Sequence, residues 1–114
     1  MKLFLDDERE PLFVFGEGEH LDWVIVRSVW AAKQVLQTGL VKEISLDHDL
    51  GANLPTGYDL CKWMTENLLW PETVHFHSMN PVGAKNMQAE YDFYIKHKDE
   101  IENPHGNIKM LRNS

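Results

Sequence analysis

Four short apolar segments, separated by polar loops and helical patterns, constrain the fold of this chain more than any other feature of its sequence. Each segment has the length and the apolar character of a buried strand, and apolar residues recur at helical spacing between them. Strands that alternate with helices form a parallel sheet with right-handed crossover connections. We therefore predict an α/β domain. Its predicted strands are Lys2 to Leu5, Trp23 to Val26, Glu43 to Leu46, and Thr73 to Phe76 or His77.

The helical segments lie between residues that start or stop a helix. Ser28 is a good N-cap, and Gly39 ends the pattern that follows it. The predicted helices cover 29 to 38, 56 or 57 to 69, and 84 to about 101. Residues 10 to 22 predict a loop with at most one helical turn where a first helix would stand. The C-terminal residues predict a tail or a short edge strand over 108 to 111.

The composition indicates one folded domain over residues 1 to 114. Hydrophobic residues make up 43% of the chain, which is enough for a buried core. No apolar run reaches the roughly 18 residues of a membrane span, and early acids interrupt any signal peptide. The lone Cys61 excludes an internal disulfide. We predict a cytoplasmic protein with no membrane partner. The tryptophans predicted to pack in its core are Trp23, Trp30, Trp63 and Trp70.

The charge of the chain narrows the range of its ligands. With 18 acidic and 11 basic residues, the formal net charge is −7, which argues against binding of duplex DNA through its phosphates. A small phosphorylated ligand or an RNA end stays compatible with this charge if a metal ion holds the phosphate.

Acidic residues directly follow the first and third predicted strands. Asp6 and Asp7 come after the first strand, and Asp47 and Asp49 come after the third. The carboxyl ends of parallel strands share one edge of the sheet, where α/β domains bind their ligands. Clustered carboxylates repel one another, and a hard divalent cation such as Mg²⁺ or Mn²⁺ would relieve that repulsion. We predict these four aspartates as metal ligands; the alternative is a pair of solvated turns.

Histidines lie in the same predicted region. His48 stands between the two carboxylates after the third strand, and His77 ends the fourth strand beside Ser78. A histidine with a near-neutral pKa serves as a general acid or base, or as a metal ligand. His75 is better explained as a core residue of the strand, and the same alternative holds for His77.

The segment after the fourth strand carries Asn80, Gly83 and Asn86, at or near the start of the last predicted helix. Free N–H groups at a helix N-terminus attract anions, and phosphate above all. This arrangement favours a phosphate contact, although Pro and Gly before a helix are also ordinary punctuation.

The acids and the hydroxyl together resemble the receiver domain of response regulators. In receivers, an acidic pair and the aspartate after the third strand bind magnesium, and that aspartate accepts a phosphoryl group. Asp6 and Asp7 match the pair, Asp47 matches the acceptor, and Ser78 matches the hydroxyl after the fourth strand. The lysine that follows the fifth strand of receivers has no counterpart here, which argues against a phosphoryl switch.

A narrower resemblance covers most of the chain. Three motifs and a final Asn-Met pair, in this order, are similar to those of the cyclic-phosphate-processing receiver domains of bacteria and phages. The motifs are Leu-Asp-Asp-Glu-Arg at 5–9, Leu-Asp-His-Asp-Leu-Gly at 46–51, His-Ser-Met-Asn-Pro-Val-Gly-Ala at 77–84 and Asn-Met at 86–87. The resemblance implies a small three-layer, flavodoxin-like α/β domain in a bacterial or phage-infected cell. Its mainly parallel sheet would have four or five strands, with a loop in place of the first helix.

The leading functional hypothesis is a metal-dependent phosphoesterase that acts on a cyclic phosphate, either a cyclic nucleotide or an RNA 2′,3′-cyclic end. The catalytic candidates are Asp47, His48 and His77, and the substrate-binding candidates are Arg9, Ser78, Asn80, Gly83 and Asn86. The rival hypothesis is a non-catalytic receiver-like module that binds a ligand or a protein partner, such as a phage-encoded inhibitor of a host protein. Proton-transfer groups beside the metal would favour the phosphoesterase over the non-catalytic module.

Overall fold

Strands and helices alternate along the chain in the computed structural model, which describes residues 1–102. The strands are β1 (Lys2–Leu5), β2 (Trp23–Val26), β3 (Glu43–Leu46) and β4 (Thr73–Phe76). The helices are α1 (Pro11–Phe15), α2 (Val29–Leu36), α3 (Gly57–Asn67) and α4 (Pro81–Glu102). The four predicted strands are confirmed, because each is a short apolar segment between turn signals.

The four strands form one parallel sheet in the order β2-β1-β3-β4. This order corresponds to the first four positions of the flavodoxin-like arrangement, so the predicted α/β class is confirmed. The chain leaves β1 toward one edge of the sheet and leaves β3 toward the other. A crevice therefore opens between these two central strands at their carboxyl ends, which is where such sheets bind ligands.

The two faces of the sheet carry different side chains, because neighbouring residues of a strand point to opposite sides. Leu5 and Leu46 belong to the buried apolar core together with residues of α2, α3 and α4. Burial of each such side chain stabilises the fold by roughly 1.5–3 kcal/mol. The opposite face carries Phe4, whose ring contacts the rings of Phe15 and His77. This second face continues into the residues that follow the strands at their carboxyl ends.

Three of the helices differ from their predicted bounds. The helix α2 ends at Leu36 instead of Thr38. The helix α4 begins at Pro81 instead of Ala84, because Asn80 caps it and proline suits a first helical position. The helix α3 ends at Asn67 instead of Leu69, because Leu68 adopts a left-handed backbone conformation. Within the segment 10 to 22, predicted to be mainly loop, only the short helix α1 forms.

One tryptophan contradicts the prediction that all four pack in the core. Trp23, Trp63 and Trp70 are partly buried, whereas Trp30 is 72% exposed. The buried stripe of α2 runs through Val29, Ala32 and Leu36, and position 30 lies off that stripe.

The edge strand predicted at 108 to 111 lies outside the described residues. Among the helices that the structure describes, none is long and apolar enough to cross a membrane.

Candidate functional site

A cavity of about 580 Å³ opens at the carboxyl ends of the central strands. Its volume falls within the usual range of small-molecule sites. Acidic side chains dominate its lining, with one arginine and a short apolar stretch. The lining residues are Asp6, Asp7, Glu8, Arg9, Asp47, Asp49, Gly51, Ala52, Met79 and Asn80.

The backbone hydrogen bonds between neighbouring strands continue for one residue past the strand ends. They align three residues with titratable side chains. The backbone N–H of Asp6 donates to Val26 O at 3.2 Å, that of Asp47 donates to Leu5 O at 2.9 Å, and that of His77 donates to Leu46 O at 3.0 Å. Phe4, Ser45 and His75 are paired across β1, β3 and β4, so they lie on the same face of the sheet. The same face carries Asp6, Asp47 and His77, which each lie two residues further along. The topology therefore brings together residues that are far apart in sequence.

Asp6 is buried, and hydrogen-bond donors surround its carboxylate. Oδ1 accepts from the backbone N–H groups of Glu8 at 2.8 Å and Arg9 at 2.7 Å. Oδ2 lies 2.9 Å from Arg9 Nε and 3.0 Å from His77 Nε2. Burial alone would raise the pKa of Asp6, but these hydrogen bonds and the charge of Arg9 outweigh it and lower the pKa. Two oxygens that each accept two hydrogen bonds have no acceptor position left.

Asp7 and Asp47 complete an acidic cluster with Asp6. One oxygen from each of the three carboxylates lies within 4.8 Å of the other two. The side chain of Asp7 accepts no hydrogen bond from the residues that the structure describes. Asp47 Oδ1 accepts from the N–H of His48 at 2.8 Å, and the Ser78 hydroxyl also donates to Asp47. Burial and the charge of Asp6 raise the pKa of Asp47, although Arg9 and these hydrogen bonds oppose that shift.

Arg9 provides the positive charge of the cavity lining. Besides its contact with Asp6, its Nη2 lies 3.6 Å from Asp47 Oδ1 and donates to His77 O at 3.2 Å. Arg27 holds the same turn from outside, because its Nη1 donates to Asp6 O at 3.2 Å and Arg9 O at 2.6 Å. A guanidinium has five N–H groups, so Arg9 keeps donors for a ligand.

A second chain of hydrogen bonds joins the loop after β3 to the start of α4. His48 Nδ1 lies 2.9 Å from Asp49 Oδ1, and Asn80 Nδ2 donates to Asp49 Oδ2 at 3.2 Å. These bonds, with His48 as the larger contribution, lower the pKa of Asp49. Asn80 Oδ1 accepts from the N–H of Gly83 at 3.0 Å. A side chain on Gly83 would overlap the His48 ring, so this glycine permits the close packing.

His77 lies beneath the acidic cluster, and its side chain is only 3% exposed. Its Nε2 faces Asp6, its Nδ1 lies 2.6 Å from Ser45 Oγ, and its ring stacks on Phe4 at 4.5 Å between centroids. Burial lowers the pKa of His77 to about 4, although Asp6 acts in the opposite direction. The ring is therefore neutral near pH 7, and it does not belong to the cavity lining.

A comparison with known protein families identifies the domain. The family described as the cyclic-phosphate processing receiver domain matches residues 1–92. The chain belongs to this family. No curated protein and no solved structure gives a significant match. The matched range contains every residue of the cavity lining, and the resemblance seen in the sequence motifs is confirmed.

The receiver domain brings most of the predicted site residues to one edge of the sheet, but not all of them face the cavity. Asp6, Asp7, Arg9, Asp47, Asp49 and Asn80 line it, whereas His48, His77, Ser78, Gly83 and Asn86 do not. The N–H of Gly83, expected to bind phosphate, instead donates to Asn80, because α4 starts earlier than predicted. Asn86 is exposed on α4.

Sequence reasoning missed several residues of the receiver domain's site. Ser45 and Arg27 hold site residues, and Gly51, Ala52 and Met79 line the cavity. The signal for Ser45 is a small polar residue in the middle of an apolar strand. Arg27 carries no local signal, because its partners lie in a different loop.

The donor set of this receiver domain fits a divalent cation. Three carboxylates share the acidic cluster with one guanidinium, which leaves negative charge uncompensated. Carboxylate oxygens are the ligands that Mg²⁺ and Mn²⁺ prefer. Because the acceptor positions of Asp6 are all used, Asp7 and Asp47 would hold the cation, and Asp6 would contribute its charge. Asp49 is not in the cluster and is bonded to His48 and Asn80.

Proposed function

We propose that this receiver domain is a divalent-metal-dependent phosphoesterase that opens a cyclic phosphate, either in a cyclic nucleotide or at an RNA 2′,3′-cyclic end. The observation that carries the proposal is the acidic cluster of Asp6, Asp7 and Asp47, gathered within 4.8 Å at a cavity of about 580 Å³. The family's association with cyclic-phosphate processing supports the choice of substrate.

Charge explains why a phosphate would need a cation in this cavity. A phosphodiester is an anion, and four aspartates and one glutamate line the cavity against a single arginine. Anions next to uncompensated carboxylates are repelled. A bound Mg²⁺ or Mn²⁺ would neutralise charge on the phosphoryl oxygens and lower the pKa of a water molecule.

The side chains divide the remaining work. Arg9 would donate its remaining N–H groups to a phosphoryl oxygen, while Ser78 holds Asp47 in place. Asp49 lines the cavity and is bonded to His48, so we assign proton transfer to this pair. Hydrolysis adds water across one P–O bond. The water oxygen bonds to phosphorus, the ring P–O bond breaks, and the released oxygen takes up a proton.

The test is conversion of cyclic phosphodiesters to phosphomonoesters, followed by ³¹P NMR. The substrates are 2′,3′-cyclic AMP, 3′,5′-cyclic AMP and a short RNA with a 2′,3′-cyclic end, each with Mg²⁺, Mn²⁺ or EDTA. We expect metal-dependent turnover that falls on the order of 100-fold in Asp7→Asn and Asp47→Asn. The matched control is Asp22→Asn, which removes an exposed carboxylate outside the cavity lining. An intact wild-type protein that forms no monoester from any of these substrates would contradict the proposal.

One observation favours a second candidate, a module that binds the cyclic phosphate without hydrolysing it. In the described part of the chain, no histidine side chain belongs to the cavity lining, and His77 is sequestered beneath Asp6. Calorimetric titration of the same substrates distinguishes the two candidates: binding without monoester formation supports the module, and turnover supports the enzyme.

A further inference from the structure

A chain of three hydrogen-bonded side chains runs from the middle of the sheet to the acidic cluster. Ser45 Oγ lies 2.6 Å from His77 Nδ1, and His77 Nε2 lies 3.0 Å from Asp6 Oδ2. The three residues come from β3, the end of β4 and the end of β1. Their order is serine, histidine, aspartate, which invites comparison with a nucleophilic triad.

Burial excludes a nucleophilic role for this serine. Ser45 is 0% exposed, and it lies within the sheet instead of in the cavity lining. A nucleophile must reach the phosphorus atom of its substrate, and the Ser45 hydroxyl has no route to one. The hydrogen-bonded side chains of Ser45 and His77 must therefore act on the site through Asp6.

The hydrogen positions follow from the chemistry of the groups. An ionised Asp6 only accepts hydrogen bonds, so His77 Nε2 must carry the proton that it shares with Asp6 Oδ2. A neutral imidazole has one N–H, so His77 Nδ1 is then an acceptor. Ser45 therefore donates its hydroxyl proton to Nδ1. This assignment matches one donor with one acceptor at each of the two contacts.

The surroundings allow the His77 ring little freedom. Its face stacks on Phe4 with ring planes 3° from parallel. If the Ser45 hydroxyl were absent, Nδ1 would be a buried acceptor without a partner, and the ring could turn to seek one. Such a turn would remove the Nε2 donor from Asp6 Oδ2, the oxygen that also contacts Arg9.

We propose that Ser45 and His77 are positioning residues that fix the Asp6 carboxylate, and through it Arg9, in the geometry that lets Asp7 and Asp47 bind a divalent cation. The cation part of this inference rests on the proposed function. The hydrogen-bond part does not, so the two are tested by separate measurements.

The first measurement detects the hydrogen bonds directly. Two-bond ¹H–¹⁵N spectra of ¹⁵N-labelled protein in EDTA assign the proton to Nδ1 or Nε2 of each histidine. We expect the wild-type His77 to carry its proton on Nε2, protected from exchange with water. In Ser45→Ala that protection is lost, whereas Ser45→Thr, which keeps the hydroxyl, retains it.

The second measurement is the affinity for Mn²⁺ alone, by electron paramagnetic resonance. Loss of an outer partner of a metal ligand typically weakens binding 10- to 100-fold. Because Ser45 acts on the ligands only through His77 and Asp6, we expect the lower end of this range, about a tenfold rise in Kd, for Ser45→Ala and little change for Ser45→Thr. The matched control is Ser28→Ala, which removes the hydroxyl that caps α2 and so lowers stability without touching the site.

Each result decides for or against the proposal. The proposal is supported if Ser45→Ala loses both the exchange protection of His77 and the affinity for Mn²⁺ while Ser45→Thr and Ser28→Ala keep them. Unchanged protection or affinity in Ser45→Ala, or an equal loss of affinity in Ser28→Ala, overturns it. If the wild type binds no Mn²⁺, the proposed function fails, and the imidazole spectra alone decide whether Ser45 and His77 hold Asp6.

A second variant covers the case in which Ser45→Ala does not fold. In Asp6→Asn, the backbone N–H groups of Glu8 and Arg9 keep the amide oxygen at the Oδ1 position, so the NH₂ group faces His77. We expect the His77 proton to move to Nδ1, where Ser45 can accept it. A proton that stays on Nε2 would contradict the proposed chain.

Discussion

At the scale of single residues, the neighbouring aspartates at the end of β1 have opposite surroundings. Asp6 is buried and takes four hydrogen bonds, whereas Asp7 is partly exposed and takes none from the residues that the structure describes. The Asp6 carboxylate turns back onto the N–H groups of Glu8 and Arg9, whereas Asp7 lies in the bend that follows the strand, which explains the contrast. One acid of the pair is therefore fixed by the protein, and the other is available to a ligand.

Asp47 should destabilise the protein when no cation is present. Its pKa is raised, because burial and the Asp6 charge disfavour the ionised form, so ionisation at pH 7 weakens the native state. We expect Asp47→Asn to raise the free energy of unfolding by about 1 kcal/mol in EDTA at pH 7. The measurement is thermal unfolding at that pH.

When Mn²⁺ is added, the wild type should become more stable than Asp47→Asn. A cation at 100 times its Kd stabilises the native state by about 2.7 kcal/mol, and Asp47→Asn should lose most of that gain. The Asp22→Asn control should behave like the wild type in both buffers. If wild type and Asp47→Asn respond equally to Mn²⁺, the cation is not bound at Asp47.

The sequence was sufficient to locate the carboxylates but not to assign their roles. The position of Asp6, Asp7 and Asp47 follows from strand ends alone, because parallel strands end at a common edge. The hydrogen bonds that separate their roles come from distant residues. His77 is 71 positions away from Asp6, and Arg27 is 21 positions away. Local patterns contain no information about which of these side chains will meet.

At the scale of elements, the loop after β3 packs directly against the first turns of two helices, and glycines make this possible. A side chain on Gly57 would overlap Asp47 O, and one on Gly83 would overlap the His48 ring. The N–H of Gly57 also donates to His48 O at 2.9 Å. The starts of α3 and α4 thus hold the loop that carries Asp47 and Asp49.

Gly83→Ala tests this packing. Alanine is the better helix former by about 1 kcal/mol, so an uncrowded site would be stabilised. Because the new methyl group would displace the partly buried His48 ring, we instead expect a loss of about 1–3 kcal/mol in the free energy of unfolding. Urea denaturation measures it.

The control for this change is Lys85→Ala, at an exposed position of the same helix. It should change the unfolding free energy by no more than about 0.5 kcal/mol. Equal stability of Gly83→Ala and the wild type would show that His48 does not depend on this contact.

The ends of elements were predicted less well than their centres, for reasons visible in α3 and α4. The start of α4 depends on the Asn80 side chain, which caps the helix and also bonds Asp49 from another loop. The end of α3 depends on Leu68, an apolar residue in a left-handed conformation that usually favours glycine. The start of α4 thus involves a contact with another loop, and the end of α3 depends on the backbone conformation of one residue. Apolar periodicity records neither.

At the scale of the whole molecule, the site and the fold share the buried His77, so stability should depend on pH. In the unfolded chain His77 has its ordinary pKa of 6.5, and in the native state burial lowers the pKa to about 4. Between these values the unfolded state binds more protons, so the free energy of unfolding falls as the pH falls. From pH 7 to pH 5 the contribution of His77 to this loss should be about 2 kcal/mol.

Three aspartates also contribute to this dependence. The native state binds a proton at Asp47 more tightly than the unfolded state does, because the pKa of Asp47 is raised. Protonation of Asp47 therefore opposes the loss of stability as the pH falls. Asp6 and Asp49, whose pKa values are lowered, add a further loss only as the pH falls below their ordinary value of 3.8.

Urea unfolding at pH 7 and pH 5 in EDTA, followed by tryptophan fluorescence, measures the dependence. His77→Gln cannot take up the proton, so its unfolding free energy should change little between the two pH values. His97→Gln, a change on α4 outside the cavity lining, should keep the wild-type difference. If His77→Gln loses as much stability as the wild type, the proton is taken up elsewhere. His77 would then not be the group through which acid weakens both the fold and the acidic cluster above it.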